Sequence, residues 1–305
     1  MKQRSLQNVT VKIQFLFYWL LSFSLFVLFL SGAAFAKEKE SVLEVTWYPK
    51  PVGQGEICVI DVVTAEGVSS VTGTFQRRDL AFHEMKKGIS FRTLIGIDLE
   101  AKSGTHRLLI FAKDSSGDTI ESVHRIRVIK RHFGTQRLTL PREMVELDQK
   151  TLERVHEEEK TVKRVWMEER REKVWHGEFM KPLNGKVISS FGVRRFLNNL
   201  QRNPHSGIDL KASMGQEIRC SNRGIIALTG ELYFSGKSVI VDHGQGLYTM
   251  YFHLSRIDVK EGQRVEKGGI LGLAGSSGRV TGPHLHWGVR LHGARVDPYS
   301  LLRLK

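Results

Sequence analysis

The chain has 305 residues, enough for about two domains and a sizeable core. It carries 46 Lys+Arg against 32 Asp+Glu, a formal net charge of +14, which points to an anionic partner. No RNA- or DNA-binding fingerprint accompanies that charge and aromatic content is an ordinary 9%, so nucleic acid is not the expected partner. A membrane surface or an acidic polymer remains.

In chain order, Lys2, Arg4 and Lys12 precede an apolar run from Phe15 to Leu30, and Ala34-Phe35-Ala36 follows as a small-x-small pattern. Residues 1–36 therefore read as a Sec-type signal peptide, cleaved after Ala36. The run is 16 residues long, short of the roughly 20 that cross a bilayer. An uncleaved anchor is the alternative, and membrane association is expected only in that case. Cleavage removes three cations and no anions, so +14 becomes +11. No second long apolar run follows, and the remainder is expected to be exported and soluble.

Residues 37–131 are strand-rich. Val42–Tyr48, Glu56–Val63, Ser70–Gln76, Leu80–His83, Ile89–Ile95, His106–Lys113 and Thr119–Lys130 are each bounded by turn residues, most clearly at Pro49–Gly53, Lys87-Gly88 and Asp114–Asp118. About seven short strands in under 100 residues predict an immunoglobulin-like β-sandwich. The tryptophan and cysteine pair of antibody domains is absent, so the expectation concerns architecture alone. His83, His106, His124 and His132 lack metal-ligand spacing and read as ordinary surface or edge residues. Cys58 and Cys220 are the only cysteines. Each sits in an apolar run of a different predicted domain, which predicts buried free thiols rather than a disulfide framework.

Residues 132–178 change character. A short connector over 131–141 leads into Glu143–Trp175, which is dense in Glu, Lys and Arg and contains neither Gly nor Pro. Val155, Val162, Val165, Trp166 and Trp175 recur at roughly helical spacing, predicting a charged helical linker. It is either a spacer packed on one domain or a regulatory helix over an active site. His156 and His176 are expected to be solvated.

Residues 179–305 alternate strand signals with glycine turns: Lys186–Phe191, Glu217–Cys220, Gly224–Thr229, Ser238–Asp242, Tyr248–His253 and Ile270–Ala274. Val259 to Leu271 reads as a compact hairpin. No long helical pattern occurs, so a mostly antiparallel sheet is predicted. Most of the mature positive charge lies from Met180 onward.

This region also holds the chemistry. Gly278–Pro283 reads as a turn and His284–Val289 as a strand. Side chains alternate faces along a strand, so His284 and His286 share one face while Leu285 and Trp287 share the other. His205, Asp209 and His253 lie upstream in the same unit. Imidazole and carboxylate are ordinary zinc ligands, and a catalytic zinc takes three protein ligands. The set suffices for three ligands and two helpers.

Four stretches in order, Ser189-Ser-Phe191-Gly-Val-Arg194, His205-x-x-x-Asp209, His243-Gly through Tyr251-Phe-His253-Leu, and Gly275-Ser-Ser-Gly278 through Thr281-Gly-Pro-His284-Leu-His286, resemble the lysostaphin-type zinc endopeptidases of bacterial cell walls. The resemblance covers roughly residues 180–302 and says nothing firm about 37–175. It implies that His205, Asp209 and His286 bind one zinc ion per chain and that His253 and His284 are the catalytic pair. The fold class is then mainly β: an immunoglobulin-like sandwich, a charged helical linker and a mostly antiparallel metallopeptidase domain. Fully extended, His205 to Asp209 would span about 13 Å, too far for two ligands of one ion. The chain must bend, with Ser206-Gly207 as the soft point. Pro204 and Gly207 argue against helical placement. One departure is Gly288, where the family often has an acid; this touches no ligand and puts only local strand support in question.

The ligand set implies hydrolysis by zinc-activated water, with pKa lowered to about 7. His-Glu-x-x-His is absent, so His253 and His284 stand in for the glutamate base of that class. His243 and His292 read as structural turn residues. The resulting expectation is a zinc endopeptidase of the periplasm or cell envelope that hydrolyses peptide cross-links of peptidoglycan. The alternatives are a non-catalytic wall-binding or amidase-activating protein on the same fold, for which ligands should be lost, and a nucleic-acid binder, which explains neither the export signal nor the histidines.

Overall fold

The strand Ile57–Val63 carries ICVIDVV, an almost unbroken apolar run, and such runs belong to strands buried on both faces. It is a central element of the computed structural model, which describes residues 43–65, 67–139, 147–168 and 170–304. On one side Cys58, Ile60 and Val62 enter a core shared by two sheets. The first sheet runs Glu44–Tyr48, Ile57–Val63, Ser90–Gly96, His83–Lys86. The second runs Val52–Gly53, Thr119–Ile129, Gly104–Asp114, Val68–Phe75, Arg78–Ala81. Pairing is antiparallel throughout both except between Val52–Gly53 and the 119–129 strand. Alternate residues Leu108, Ile110 and Ala112 fill the same core and are fully buried. Cys58 and Cys220 are buried free thiols, and burial pushes each up to about 12.

On its other side the 57–63 strand presents Ile57 and Val59 to the C-terminal half. There, with Leu94 and Leu99, they join one continuous core containing Leu291, Ala294, Val296 and Leu301. Backbone bonds stitch the same seam: Asp297 N donates to Gly55 O (2.7 Å) and Leu99 N to Arg295 O (3.2 Å). Arg295 Nη2 and Nε donate to Asp98 Oδ1 and Oδ2 at 2.6 and 3.1 Å. Gly96 is needed here, because a Cβ would lie 2.9 Å from Leu291 O. Described residues from Leu43 onward therefore belong to one compact unit.

The connector is not featureless: Thr135–Leu138 pairs in parallel with Arg194–Leu197. The helix is shorter than its spacing predicts, Gln149–Met167 in place of Glu143–Trp175. Residues 140–146 lie outside the described residues. Asp148 caps the start, accepting from Thr151 N at 2.7 Å. Val162, Val165 and Trp166 pack on Leu228, Ile240, Tyr248 and Met250 of the sheet. Beyond Met167 tertiary contacts replace helical ones. Tyr248 Oη donates to Glu168 O (3.1 Å), and Val174 N donates to His243 O (2.8 Å). Trp175 sits in the large core beside Phe179, not on the helical stripe. Its spacing from Trp166 suits a helix, but its burial comes from a non-helical segment.

The C-terminal half is a mostly antiparallel sheet ordered Val187–Ser189, Gly207–Lys211, His284–Leu291, Leu247–Ile257, Gly236–Asp242, Gly224–Leu232, Arg264–Val265. The predicted 259–271 hairpin is not formed. Arg264–Val265 pairs with Gly224–Ile225, whereas Ile270–Ala274 pairs with Glu217–Arg219 and with Leu254–Ile257. The two short segments find different partners, which periodicity cannot reveal. The signal or anchor assignment for 1–36 lies outside the described residues. Among those described, no helix is long and apolar enough to cross a membrane.

Candidate functional site

The strand His284–Leu291 lies between Gly207–Lys211 and Leu247–Ile257, and its register builds the site. Asp209 is directly opposite His286, and Lys211 opposite His284. Cross-strand partners share a face, so Asp209 and His286 meet, while Leu285 and Trp287 are fully buried on the other face. On the far side Phe252 is opposite His286 and stacks on it, ring centroids 5.5 Å apart at 6°. His205 enters from just before the 207–211 strand, held by Gly192 N to His205 O (2.8 Å) and His205 N to Val193 O (2.9 Å). The chain does bring positions 205 and 209 together, but Gly207 matters for room. A Cβ there would lie 2.4 Å from Trp287 O and 2.7 Å from His286 Nε2.

His205 Nε2, Asp209 Oδ1 and His286 Nδ1 form a triangle with all three edges 2.9 Å. All three residues are buried. A carbonyl can only accept, so His205 Nδ1, 2.9 Å from Ser190 O, carries the proton. In the neutral ring Nε2 is then bare and its lone pair faces the carboxylate. A cation between the two lone pairs would offset their repulsion. Tetrahedral zinc with bonds of about 2.0–2.2 Å spaces its donors by roughly 3.3 Å. The two-imidazole, one-carboxylate triangle fits zinc within a few tenths of an ångström. Burial opposes the charge on Asp209, but the imidazoles of His205 and His286 against its Oδ1 outweigh it and hold the carboxyl well below the usual range. Arg195 Nη2 donates to the second oxygen, Oδ2, at 3.1 Å, which orients Oδ1 inward. Burial keeps His286 neutral, opposed by Asp209. These are the protonation states a metal needs.

His253 and His284 border the triangle. Each gives its Nδ1 proton to a backbone carbonyl: His253 to Ser277 O at 3.0 Å, His284 to Gly282 O at 2.8 Å. In the neutral ring of either, Nε2 is then a bare acceptor. The His284 Nε2 lies 3.9 Å from Asp209 Oδ1, and the two rings are 4.9 Å apart. Burial, before any other cause, pushes His253 down to about 3. Strand alternation alone would turn His253 to the core face with Tyr251. The ladder slips on both sides here, and His253 takes φ 66°, a left-handed value uncommon for a side-chain-bearing residue. That bulge brings it round to the site.

A cavity of about 870 Å³ contains Asp209, His253, His284 and His286. Leu152 and Glu159 of the helix form part of its wall, so the helix borders the site while docked on the sheet. His243 stands apart. Its Nδ1 donates to Arg223 O (2.8 Å), its Nε2 meets Thr249 Oγ1 (2.7 Å), and burial pushes it down to about 4. Gly288 keeps Met250 in place, since a Cβ would lie 2.6 Å from Met250 Cε. Arg195, Phe252 and the carbonyls of Ser190, Ser277 and Gly282 escaped the sequence reading. Ser190, Phe252, Ser277 and Gly282 lie inside the four quoted stretches and Arg195 adjoins the first, but none was given a role there.

Sheet and triangle together form a candidate metal centre of three buried ligand-type residues. Residues 203–298 match the model of peptidase family M23. A crystal structure of an M23 peptidase from Pseudomonas aeruginosa is 30% identical over 83% of this chain and 96% of that one, with a TM-score of 0.64. The chain belongs to peptidase family M23, a zinc-dependent family. Peptidoglycan DD-endopeptidase ShyA of Vibrio cholerae is 38% identical over 113 residues, covering 37% of this chain and 26% of that protein. DD-carboxypeptidase/endopeptidase Mpg of Neisseria meningitidis is 38% identical over 116 residues, covering 38% and 27%. The chain thus spans about a quarter of the length of these curated relatives.

Proposed function

We propose that the protein is a zinc metalloendopeptidase, exported to the periplasm or cell envelope, that hydrolyses peptide cross-links of peptidoglycan. The observation that carries this is the triangle of His205, Asp209 and His286 with the bare Nε2 atoms of His253 and His284 beside it. Residues 37–131 serve as an immunoglobulin-like accessory domain, 132–178 as the helical connection and 179–305 as the peptidase domain. Residues 1–36 act as the signal segment.

Zinc held by the triangle, one per chain, supplies Lewis acidity toward a carbonyl and a nucleophile at neutral pH. Ser190 O and Arg195 hold the His205 tautomer and the Asp209 carboxylate in the binding orientation. His253 and His284, each fixed with Nδ1–H on a carbonyl, divide two tasks at Nε2. One accepts the proton of the attacking water. The other, protonated, stabilises the oxyanion and donates to the departing amine. The left-handed backbone at His253 holds its ring at the cavity, where water and substrate meet.

The test is digestion of defined muropeptides by the zinc-loaded protein, with products weighed by mass spectrometry. Peptide release that disappears in His284→Ala supports the reading. A zinc-loaded protein that binds the wall and releases nothing would fit the wall-binding or amidase-activating alternative.

A further inference from the structure

The helix Gln149–Met167 lies outside the residues matched to the peptidase family, yet two of its side chains bond to one turn beside the site. That turn, residues 233–235, joins Gly224–Leu232 to Gly236–Asp242. Glu158 Oε2 accepts from Tyr233 N at 2.8 Å. Arg154 locks the acceptor in place: its Nε donates to Glu158 Oε1 at 2.7 Å and its Nη2 to Glu231 O at 3.1 Å. The Glu158 side chain is 19% exposed, so this charge-assisted bond is largely shielded from water. The other two residues of the turn face the site. Phe234 O accepts from Arg279 N at 3.0 Å, and Ser235 O accepts from His253 N at 2.9 Å.

His253 depends on that last bond. The ladder pairs Lys237 with Leu254 and Val239 with Tyr251, so the 247–257 strand holds one residue too many and the His253 N–H turns to Ser235 O. A side-chain-bearing residue at φ 66° persists only where its surroundings over-determine it. Here the turn supplies the backbone bond, and Ser277 O supplies the ring bond at 3.0 Å from Nδ1. Ser277 Oγ ties the two together, accepting from Lys237 N at 2.8 Å and donating to Leu254 O at 2.6 Å.

We propose that Glu158 is a positioning residue for His253, acting through the 233–235 turn, so that the helix supports the catalytic pair rather than closing over it. The proposal rests on the endopeptidase reading above and adds to that site a residue from outside the family match. The path is short: carboxylate to Tyr233 N, two residues of tight turn, then Ser235 O to His253 N. Removing the acceptor leaves the Tyr233 N–H without its partner, loosens the turn and lets the left-handed backbone at His253 relax away from the cavity. A displacement on the order of 1 Å at a reacting group is enough to cost turnover. The metal ligands are untouched, so the loss falls on kcat.

The experiment compares Glu158→Ala, Glu158→Gln and Glu157→Ala in the zinc-loaded full chain. Gln keeps an acceptor for Tyr233 N, and Glu157, paired with Lys160 on the exposed face, controls for a lost helix charge. Two readouts are taken: muropeptide kinetics, and the Nδ1–H signals of isotope-labelled histidine by NMR, with His253 assigned by its loss in His253→Ala. Glu158→Ala should lose about tenfold in kcat at unchanged KM and zinc content. Its His253 signal should shift or broaden while that of His243, held by Arg223 O, stays in place. Glu158→Gln should recover most of the turnover and the wild-type His253 signal, and Glu157→Ala should match wild type in both. Full turnover in Glu158→Ala, or an unmoved His253 signal, would overturn the proposal. So would a gain in turnover, which a lid would give, or an equal shift at His243, which general loosening of the fold would give. If wild type releases no peptide, the endopeptidase reading fails separately. The His253 signal then decides: moved in Glu158→Ala and restored in Glu158→Gln, it supports the positioning role, and unmoved it overturns it.

Discussion

The histidines of the sandwich and those of the C-terminal sheet are the same side chain put to opposite uses. In the sandwich, His106 spends both ring nitrogens, on Lys102 O (2.8 Å) and on Gln76 Nε2 (3.3 Å). His124 meets Ser122 Oγ at 2.6 Å and packs edge-on against Trp47. His243, inside the C-terminal half, is equally spent. His205, His253 and His284 each commit only Nδ1, to a backbone carbonyl, and turn Nε2 toward a shared place. What marks these three imidazoles is one nitrogen anchored by backbone and the other aimed where its neighbours aim, while His286 is held by stacking on Phe252 and turns Nδ1 to the same place.

The sharpest way to break that contrast is to remove a converging ligand. His286→Ala should abolish zinc binding and reduce activity to background, as should His205→Ala; metal content by mass spectrometry together with muropeptide release checks both. Next come the neighbouring pair. His284→Ala and His253→Ala should keep about one zinc per chain yet lose on the order of a hundred- to thousandfold in turnover. Near-normal turnover in either would strike that residue from the mechanism.

A smaller effect tests the spent histidine. Burial pushes His243 down to about 4, below the roughly 6.5 of an exposed imidazole. Between those values the unfolded chain binds a proton that the folded chain does not. Its contribution is therefore complete above about pH 6.5 and declines toward pH 4, by on the order of 3 kcal/mol. Denaturant midpoints across that window should fall more steeply in wild type than in His243→Gln. Parallel slopes would mean that His243 takes up its proton without penalty. The smallest effect belongs to the sandwich: half-buried His106→Ala should change stability by about 1 kcal/mol and leave zinc content and turnover untouched.

Much of the site was legible because it follows strand alternation. His284 and His286 on one face and Trp287 on the other need only a period of two. Joining His205 and Asp209 to them depended on the family resemblance, since the register that sets Asp209 opposite His286 is a long-range pairing absent from local pattern. His253 shows where alternation misleads: the bulge and the left-handed backbone turn it to the opposite face. Arg195 and the orienting carbonyls carry no spacing signal, because a carbonyl is present in every residue. The helix was visible as a charged amphipathic stripe, but its end was not. Trp175 continues the stripe in sequence while tertiary packing draws it into the core. The 259–271 stretch failed for a related reason, its two halves pairing with strands far apart in sequence.

The central claim, that His205, Asp209 and His286 together hold zinc, is tested most directly by zinc K-edge X-ray absorption on the purified chain. The account predicts about one zinc, a first shell of nitrogen and oxygen at about 2.0–2.2 Å, an imidazole signature from two rings, and no sulfur. Loss of one imidazole and most of the metal should follow in His286→Ala. A sulfur shell near 2.3 Å, from Cys58 or Cys220, or a wild-type spectrum unchanged in the variant, would contradict it.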